Sequence, residues 1–464
     1  MLFVKINKIT TALFLIIALY TNSGLYAFTQ NIYFKINAAP NDKSAYTFKL
    51  LKFENATFVL LDSAYAKSGS EIKFTANETS ARLYKISIPN SGIKEVDFIV
   101  SPNEETLHIS GTVEEFNTNS FLFSNSNENN CLQSVQNAQQ YLKNAQDKNT
   151  ELIQALDRFD SHKWRKFNLY DTILNSSIFS YNQALVNFST IYPATYCGTN
   201  LIADLKFPSR FDTQEWRLQY DNDDAFLHDH FFDNFNFKDE RILHFPYLFP
   251  SIFTYFKFYN YGTEEGYKNF IDLLFKKEAS LKVQAAISDF LIQLFASQNQ
   301  ASLVQYLLSK SEVCTDDNPN SLSGDISKVM PGNLAHNVIL KDINNKKQSL
   351  AELVKSKKIT ALIFYSPSCP HCIDFFKELF PIYSANKDKL GIYTISTADE
   401  TAIKDFNKTN GYNWINTTYK PTKEYNPYTD YVVLSTPTIV LIDSNMKIVS
   451  RFTNLETIKE LLNK

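Results

Sequence analysis

The stretch that most constrains the fold is residues 366–372, which reads SPSCPHC. Residues 359–365 (ITALIFY), directly before it, form an apolar and β-branched run that is typical of a buried strand. Residues 373–380 (IDFFKELF), directly after it, carry apolar side chains at helical spacing. The sequence therefore predicts a strand, a short turn and a helix that begins at a Cys-x-x-Cys pair, which is a context typical of redox motifs.

The spacing of the two cysteines assigns them different tasks. A thiol attacks a disulfide only as its thiolate, and a free cysteine titrates well above neutrality. At the start of a helix, unpaired backbone N–H groups and the helix dipole favour the thiolate of Cys369, and a protonated His371 would add to this. Cys372, one turn further on, would lie close enough to attack a mixed disulfide. We therefore predict that Cys369 is the nucleophile and Cys372 the resolving thiol.

A second signal lies downstream, where residues 431–443 (YVVLSTPTIVLID) place Pro437 directly before an apolar strand. Proline cannot donate a hydrogen bond to a sheet, so it belongs at the start of that strand. The position alone allows a trans residue that opens an edge strand. It also allows a conformational role for the Thr436–Pro437 bond.

At these residues the chain resembles the thioredoxin superfamily, and within it the TlpA/ResA-like branch of envelope thiol-disulfide oxidoreductases. The resemblance rests on Cys369, Cys372 and Pro437, with an echo of the family's N-terminal motif at residues 335–342 (AHNVILKD) and 349–350 (SL). It covers roughly the last 130 residues, a usual size for one domain, and implies a thioredoxin fold over 328–464. It also implies that Thr436–Pro437 is cis and that the preceding backbone can pair with an extended substrate strand beside Cys369.

The chain departs from the family pattern at several positions. Ser368 stands where tryptophan usually precedes the first cysteine, and the proline and glycine of the N-terminal motif are His336 and Asn345. The position of a buried acid in many relatives holds Ile363, and the helix proline comes only at Pro381. The resemblance of fold is unaffected, but assisted proton transfer by a buried acid is not expected.

The direction of the redox reaction stays open at this point. Pro370-His371 is the dipeptide of the oxidant DsbA, which implies a stabilised thiolate. The surrounding pattern resembles a branch that includes reductants and cytochrome c maturation factors. The reduction potential depends on the whole environment of the thiolate, so the motif alone does not decide.

Residues 1–27 have the pattern of a secretory leader. Lys5 and Lys8 precede the apolar run 12–19, and small residues follow as far as Ala27. The run is shorter than the ~20 residues that span a bilayer. We predict cleavage after Ala27 and a mature protein in the periplasm or cell envelope without a stable membrane span; an uncleaved anchor is the alternative.

That location gives the other three cysteines a context in which disulfides persist. We predict that Cys131, Cys197 and Cys314 are buried small residues, or one structural bridge with a spare cysteine. A second redox centre would need a close pair, which their spacing in the sequence does not present.

The upstream chain predicts two further domains. Seven short alternating runs over 28–115, separated by turn-rich segments, predict an all-β, antiparallel, sandwich-like domain. A polar linker is predicted over 117–130, an all-α domain over 128–312 on apolar residues at helical spacing, and a joint over 311–332. Both upstream domains resemble modules of unknown function found beside envelope thioredoxin domains. The seven runs are residues 32–36, 46–50, 57–61, 72–75, 83–88, 96–100 and 107–109.

Neither a cofactor nor a metal ion is predicted. His228, Asp229, His230 and Asp233 have suitable donor atoms, but two histidines two residues apart lie on different faces of a helix, so structural use is favoured. Zinc at the CPHC residues would need a second ligand cluster, which the sequence does not offer. The net charge of −3 likewise gives no indication of nucleic-acid binding.

The sequence thus predicts a multidomain, extracytoplasmic thiol-disulfide oxidoreductase. Its partners would be protein thiols and disulfides and a redox partner in the envelope, and its site residues are Cys369, Cys372, Pro370, His371, Thr436 and Pro437. The upstream domains would determine which proteins reach Cys369. The alternative is a non-catalytic scaffold protein in which the thioredoxin-like domain serves only for docking.

Overall fold

The computed structural model describes residues 28–463, except 40–41, 158–162, 211, 260–261, 299, 311–321, 421–424 and 452–453. The predicted leader and Cys314 lie outside the described residues. The chain divides into two compact units, one ending at Tyr259 and the other spanning Asn260–Lys464.

The first unit begins with eight strands in two four-stranded sheets. The strands are β1 Phe28–Ile36, β2 Ala45–Glu54, β3 Thr57–Lys67, β4 Glu71–Glu78, β5 Arg82–Ser87, β6 Val96–Val100, β7 Thr106–Gly111 and β8 Leu122–Ser124. The sheet orders are β4-β1-β7-β8 and β3-β2-β5-β6. Alternate residues of β4 are buried, as expected when one face of a strand lies on a core. The two sheets enclose one apolar cluster that includes Phe34, Phe74 and Phe98.

Each of the seven predicted runs lies in or overlaps a strand, but the prediction of an antiparallel arrangement was wrong for one pair. β1 and β7 are parallel, with Asn31 opposite Thr106 and Ile36 opposite Gly111. The chain between them forms β4 and all four strands of the other sheet before it returns to β1. Alternation in a sequence reports which residues face the core, and it carries no information on the direction of the neighbouring strand.

The predicted linker 117–130 was also wrong, because these residues belong to folded elements. They include the end of the helix α1 Val113–Thr118, strand β8 and the start of the helix α2 Asn127–Asp157. The fully buried Asn129 side chain accepts from the N–H of Ile99 at 2.6 Å and donates to the Ile99 carbonyl at 2.9 Å. Polar residues here therefore satisfy backbone groups of β6, which composition alone does not distinguish from a solvated linker.

Helices complete the first unit and share a core with its strands. They are α2, α3 Lys163–Ile191, a π-helical turn Cys197–Leu201, α4 Ile202–Leu205, α5 Gln214–Gln219, α6 Asp223–His230, a 3₁₀ turn Glu240–His244 and α7 Leu248–Phe258. One buried cluster joins Leu83 and Ile99 of the strands to Leu132, Leu185 and Phe245 of the helical region. This shared core does not test the predicted domain boundaries at 115 and 128, which stay predictions.

The second unit begins with four helices and continues into an α/β domain. The helices are α8 Glu264–Lys276, α9 Leu281–Ser297, α10 Ala301–Lys310 and α11 Leu322–Ser327. The strands that follow are β9 Ile339–Lys341, β10 Lys347–Ser349, β11 Ile359–Phe364, β12 Leu390–Ser396, β13 Ile415–Thr418, β14 Thr438–Asp443 and β15 Ile448–Arg451. The accompanying helices are α12 Leu350–Lys355, α13 Pro370–Ala385, α14 Glu400–Asn410, α15 Pro427–Asp430 and α16 Leu455–Asn463.

The main sheet of this domain has the order β13-β12-β11-β14-β15. β12 runs parallel to both β11 and β13, whereas β14 runs antiparallel to β11 and to β15. Every residue of the central strand β11 is buried, so both of its faces are covered. Ile363 on one face packs in a cluster with Phe376 of α13 and Ile458 of α16. No helix in the described part of the chain is long and apolar enough to cross a membrane.

Candidate active site

The CPHC cysteines lie where the buried strand β11 gives way to helix α13. Cys369 is the N-cap of that helix, with φ −82° and ψ 117°, and Pro370 occupies the first helical turn. A proline suits this place because an N–H there would have no partner within the helix. The Cys369 carbonyl accepts the N–H of Ile373 at 3.1 Å, which places Cys372 in the first turn.

Cys369 is partly exposed and lies among hydrogen-bond donors. Burial opposes its ionisation, but the N–H and thiol of Cys372, the Thr436 side chain and the N–H of His371 together lower the pKa of Cys369 below its ordinary value. Donors that bond the charged form of a group favour that form. Cys369 is therefore an accessible thiol whose surroundings stabilise the thiolate.

His371 contributes to the site through its backbone. Its N–H is one of the groups that lower the pKa of Cys369, while the imidazole side chain is exposed. The unpaired N–H groups predicted at the start of this helix therefore include that of His371. Pro370 is likewise exposed, so both residues between the cysteines lie at the surface of the site.

Cys372 lies in the opposite environment, although it is only three residues away. Its side chain is fully buried in the cluster that includes Ile363, Tyr365 and Phe376. Burial raises the pKa of the Cys372 thiol, and the neighbouring Cys369 sulfur adds to the rise. Cys372 is thus held as a neutral thiol next to a partner that favours its charged form.

The loop before β14 brings Thr436 and Pro437 to the same place. The Thr436–Pro437 peptide bond is cis, as the family resemblance implied. The Thr436 carbonyl oxygen lies 3.4 Å from the Cys369 sulfur and accepts from its thiol. Leu434, two residues before Thr436, is 38% exposed, so the same loop also carries an apolar side chain at the surface.

Arg451 holds the backbone of this loop through hydrogen bonds, a role that was not predicted from the sequence. It is 1% exposed, and its Nη2 atom donates to the carbonyls of Tyr431 at 2.6 Å and Val432 at 2.9 Å. Tyr431 in turn donates from its hydroxyl to the His336 carbonyl. A single arginine in the sequence carries no signal of this role, because its partners are backbone carbonyls distant in the sequence.

The positions that depart from the family pattern have structural explanations. Ile363 packs in the same apolar cluster as Cys372, so the place of the buried acid is filled by hydrocarbon. The buried Tyr365 hydroxyl, facing Thr394 and Asn407, is a polar group that the sequence analysis did not identify. Asn345, at the position of a glycine in the motif, has φ +63°, a conformation that asparagine tolerates better than most residues.

The predicted structural use of His228 and His230 agrees with their contacts. The Nδ1 atom of His230 lies 2.6 Å from a carboxylate oxygen of Asp233, and its ring stacks on Phe226 at 4.7 Å between centroids. The Nδ1 atom of His228 lies 2.8 Å from Asp229. Among the described residues, no group of three or more His, Cys, Asp or Glu side chains is arranged to hold a metal ion.

One comparison, with models of protein families, finds a match within the C-terminal domain. The thioredoxin-like domain family matches residues 346–464. One similar solved structure is the thioredoxin domain of a thiol-disulfide oxidoreductase from Bacteroides vulgatus, with 22% identity, covering 29% of this chain and 98% of that chain at a TM-score of 0.27. Another is a thiol:disulfide interchange protein from a Bacteroides species, with 22% identity, 30% and 93% coverage and a TM-score of 0.28.

A third similar structure is a thioredoxin-like protein from Bacteroides caccae, with 19% identity, covering 52% of this chain and 92% of that chain at a TM-score of 0.28. A search of curated proteins finds no match. The family match and the sheet order make the C-terminal domain thioredoxin-like, and the chain is multidomain as predicted.

Proposed function

We propose that this protein is an extracytoplasmic thiol-disulfide oxidoreductase that exchanges disulfides with protein cysteines through Cys369 and Cys372. One observation carries the proposal: two thiols within a single helical turn have opposite tendencies to ionise. Cys369 is accessible with a lowered pKa, and Cys372 is buried with a raised pKa. This asymmetry supports a nucleophile and a resolving thiol, because exchange needs a thiolate first and a second thiol later.

In the first step the Cys369 thiolate attacks one sulfur of a substrate disulfide. A bond forms between Cys369 and that sulfur, the substrate S–S bond breaks, and the second substrate sulfur leaves as a thiolate. The N–H groups of His371 and Cys372 stabilise the attacking thiolate before this step. Once Cys369 is part of a mixed disulfide it carries no charge, so one of the effects that raised the pKa of Cys372 is removed.

In the second step Cys372 loses its proton to the departed substrate thiolate or to water and attacks the Cys369 sulfur. The Cys369–Cys372 disulfide forms and the mixed disulfide breaks. The substrate has then gained two electrons and two protons, and the dithiol has lost them. The same steps in reverse oxidise a substrate dithiol, and the direction is set by the reduction potential of the pair relative to its partner.

The loop before β14 provides a surface for the substrate backbone. The Thr436 carbonyl at 3.4 Å from the Cys369 sulfur and the exposed Leu434 side chain favour an extended substrate segment that lies along this loop. Main-chain hydrogen bonds in such a pairing give affinity without requiring one sequence. Thr436 and Pro437 are therefore proposed as binding residues, and Pro370 and His371 as the exposed rim of the site.

The proposed location is the periplasm or cell envelope, supported by the leader pattern of residues 1–27. A redox partner there must restore the dithiol or the disulfide after each cycle, because one round of exchange converts one into the other. The TlpA/ResA-like resemblance suggests the same location, and the two upstream regions are proposed to select the protein partners.

Trapping the intermediate tests the proposed mechanism. In Cys372→Ser, the first step can proceed and the second cannot. A stable mixed disulfide between Cys369 and a protein substrate that carries a disulfide should therefore accumulate. Electrophoresis without reductant measures it, and Cys369→Ser is the matched control that should form none. Equal amounts of adduct in the two variants, or none in either, would refute the assignment of the nucleophile.

A further inference from the structure

The structure brings together two cysteines that are far apart in the sequence. Cys131 lies in the second turn of α2, and Cys197 opens the π-helical turn Cys197–Leu201. Both side chains are fully buried, both belong to the same apolar cluster, and both are thiols in this structure. The helix that carries Cys131 packs against this π-helical turn, and Cys131 is near enough to raise the pKa of the Cys197 thiol. The sequence analysis found no close pair among these cysteines because only the fold makes them neighbours.

A second, independent set of contacts fixes this arrangement. The buried carboxylate of Glu128 accepts from the N–H of Tyr196 at 2.7 Å and from the N–H of Cys197 at 2.9 Å. Residues three apart on a helix share a face, so Cys131 lies on the face of α2 that Glu128 turns toward Cys197. The same two hydrogen bonds thus hold the Cys197 backbone against the helix that carries Cys131.

The backbone next to Cys197 has little freedom to move away. A Cβ atom at Gly198 would lie 2.1 Å from the Tyr192 carbonyl oxygen, so only glycine fits in this close packing. The Gly198 N–H also donates to the Thr195 hydroxyl at 2.8 Å. These contacts therefore restrict the backbone position of Cys197 within the turn.

This pair is unsuited to repeated exchange in the folded protein. Burial raises the pKa of the Cys197 thiol, and the neighbouring Cys131 raises it further, so the thiolate is disfavoured. Neither sulfur is accessible to a protein disulfide once the core has packed. A bond between them would have to form during folding and would afterwards be shielded from reductants.

We propose that Cys131 and Cys197 form a structural disulfide in the mature, exported protein. During folding, one thiolate attacks a protein disulfide of the envelope to give a mixed disulfide, and the second thiolate attacks that intermediate. The S–S bond of the donor is replaced by one between Cys131 and Cys197. The two thiols lose two protons and two electrons, and the donor is reduced to a dithiol. The inference rests on the extracytoplasmic part of the proposed function and not on the chemistry of Cys369.

Such a bond would fasten the start of α2 to a turn far along the chain. Cys131 and Cys197 are 66 residues apart in the sequence, so the closed loop is long. In the chain-entropy account, a crosslink that closes a long loop removes many conformations from the unfolded state. The crosslink would lie inside the cluster that joins strands to helices, and it would stabilise the contact between α2 and the π-helical turn.

Disulfide mapping of the full chain tests this inference. The protein is expressed with its own leader in a Gram-negative host, and the envelope fraction is denatured in N-ethylmaleimide, digested without reductant and analysed by mass spectrometry. The expected result is one linked pair of peptides that contain Cys131 and Cys197 and have lost two hydrogen atoms. The same linkage should persist in Cys314→Ala, which removes the third cysteine outside the CPHC motif.

Three further measurements distinguish failure of the structural disulfide from failure of the proposed function. The N-terminal peptide of the analysed chain shows whether the leader was removed, and only the processed chain is scored. Processed chain in which both Cys131 and Cys197 carry N-ethylmaleimide before reduction would overturn the proposal, as would linkage of either cysteine to Cys314. The double variant Cys369→Ser/Cys372→Ser should keep the Cys131–Cys197 linkage while losing exchange activity, so failure of the proposed function is visible separately.

Discussion

The two cysteine pairs of this protein differ in almost every property that governs thiol chemistry. Cys369 and Cys372 are three residues apart at the start of a helix, and Cys369 is partly exposed. Cys131 and Cys197 are distant in the sequence, are brought together by the fold and are fully buried. At Cys369, N–H donors more than offset burial and lower the pKa. At Cys197, burial next to another thiol raises it.

This difference teaches that a pair of neighbouring thiols does not by itself make a redox centre. The helix N-terminus at Cys369 supplies donors to a sulfur that a substrate can reach, which favours repeated exchange. The core around Cys131 keeps substrates away from its buried sulfur, which favours a bond that forms once.

The largest effect is expected from Cys369→Ser. Removing the nucleophile should lower the turnover of a small disulfide by roughly 10³-fold or more, because no other step can proceed without it. Cys131→Ala is the matched control, since it removes a cysteine of the other pair and should leave turnover nearly unchanged. Turnover that survives in Cys369→Ser would favour the scaffold alternative over the enzyme.

A large effect on stability is expected from Cys131→Ala. Removing a structural disulfide costs about 2–5 kcal/mol, which should lower the thermal midpoint of the oxidised protein by roughly 5–15 °C. Calorimetry with and without dithiothreitol checks it. Pre-reduction of the unfolded chain should bring the wild type close to the variant and leave the variant almost unchanged. A midpoint that is unaffected by both the substitution and the reductant would count against the structural bond.

The pH dependence of alkylation should separate the two pairs at the level of single sulfurs. Iodoacetamide reacts with the thiolate, and the lowered pKa of Cys369 means that its thiolate persists to lower pH than that of an ordinary cysteine near 8.5. Its rate in the reduced protein should therefore fall only when the pH drops through that lowered value. Peptide mass spectrometry follows Cys369, with Cys197 in the denatured chain as the reference. Coincident pH profiles would contradict the assigned environment.

A smaller effect is expected from Arg451→Lys. The Arg451 Nη2 atom donates to both the Tyr431 and Val432 carbonyls, and lysine, with a shorter side chain, would not place its ammonium at that point, so the loop that carries Thr436 should shift. We expect turnover of a protein disulfide to fall several-fold and the alkylation profile of Cys369 to move slightly toward higher pH. Lys447→Met, an exposed change in the same hairpin, is the control and should do neither.

Much of the C-terminal domain could be predicted from the sequence because its signals are local. The run before Cys369 is a fully buried strand, the helix begins at Cys369, and Pro437 directly precedes β14. Strand Ile415–Thr418 was not predicted, since it is short and carries the polar residues Asn416 and Thr417.

The features that escaped prediction depend on contacts between distant residues. The parallel pairing of β1 with β7, the bonds of Asn129 to Ile99 and the carbonyl partners of Arg451 have no counterpart in local composition. The approach of Cys131 to Cys197 belongs to the same class. Helical spacing predicted helices in this region, but it could not identify what their apolar residues, such as Leu132 and Val135, contact in the core.

A redox titration that follows both pairs at once tests the central claim most directly. The full chain is equilibrated in glutathione buffers of graded potential, quenched and mapped by mass spectrometry. The account predicts that Cys369–Cys372 changes from disulfide to dithiol within the range of known exchange proteins. It also predicts that Cys131–Cys197 stays oxidised throughout, because structural disulfides typically lie below about −300 mV. Titration of both pairs at one common potential, or a Cys131–Cys197 pair that is reduced while Cys369–Cys372 remains oxidised, would contradict the division between an exchanging pair and a structural pair.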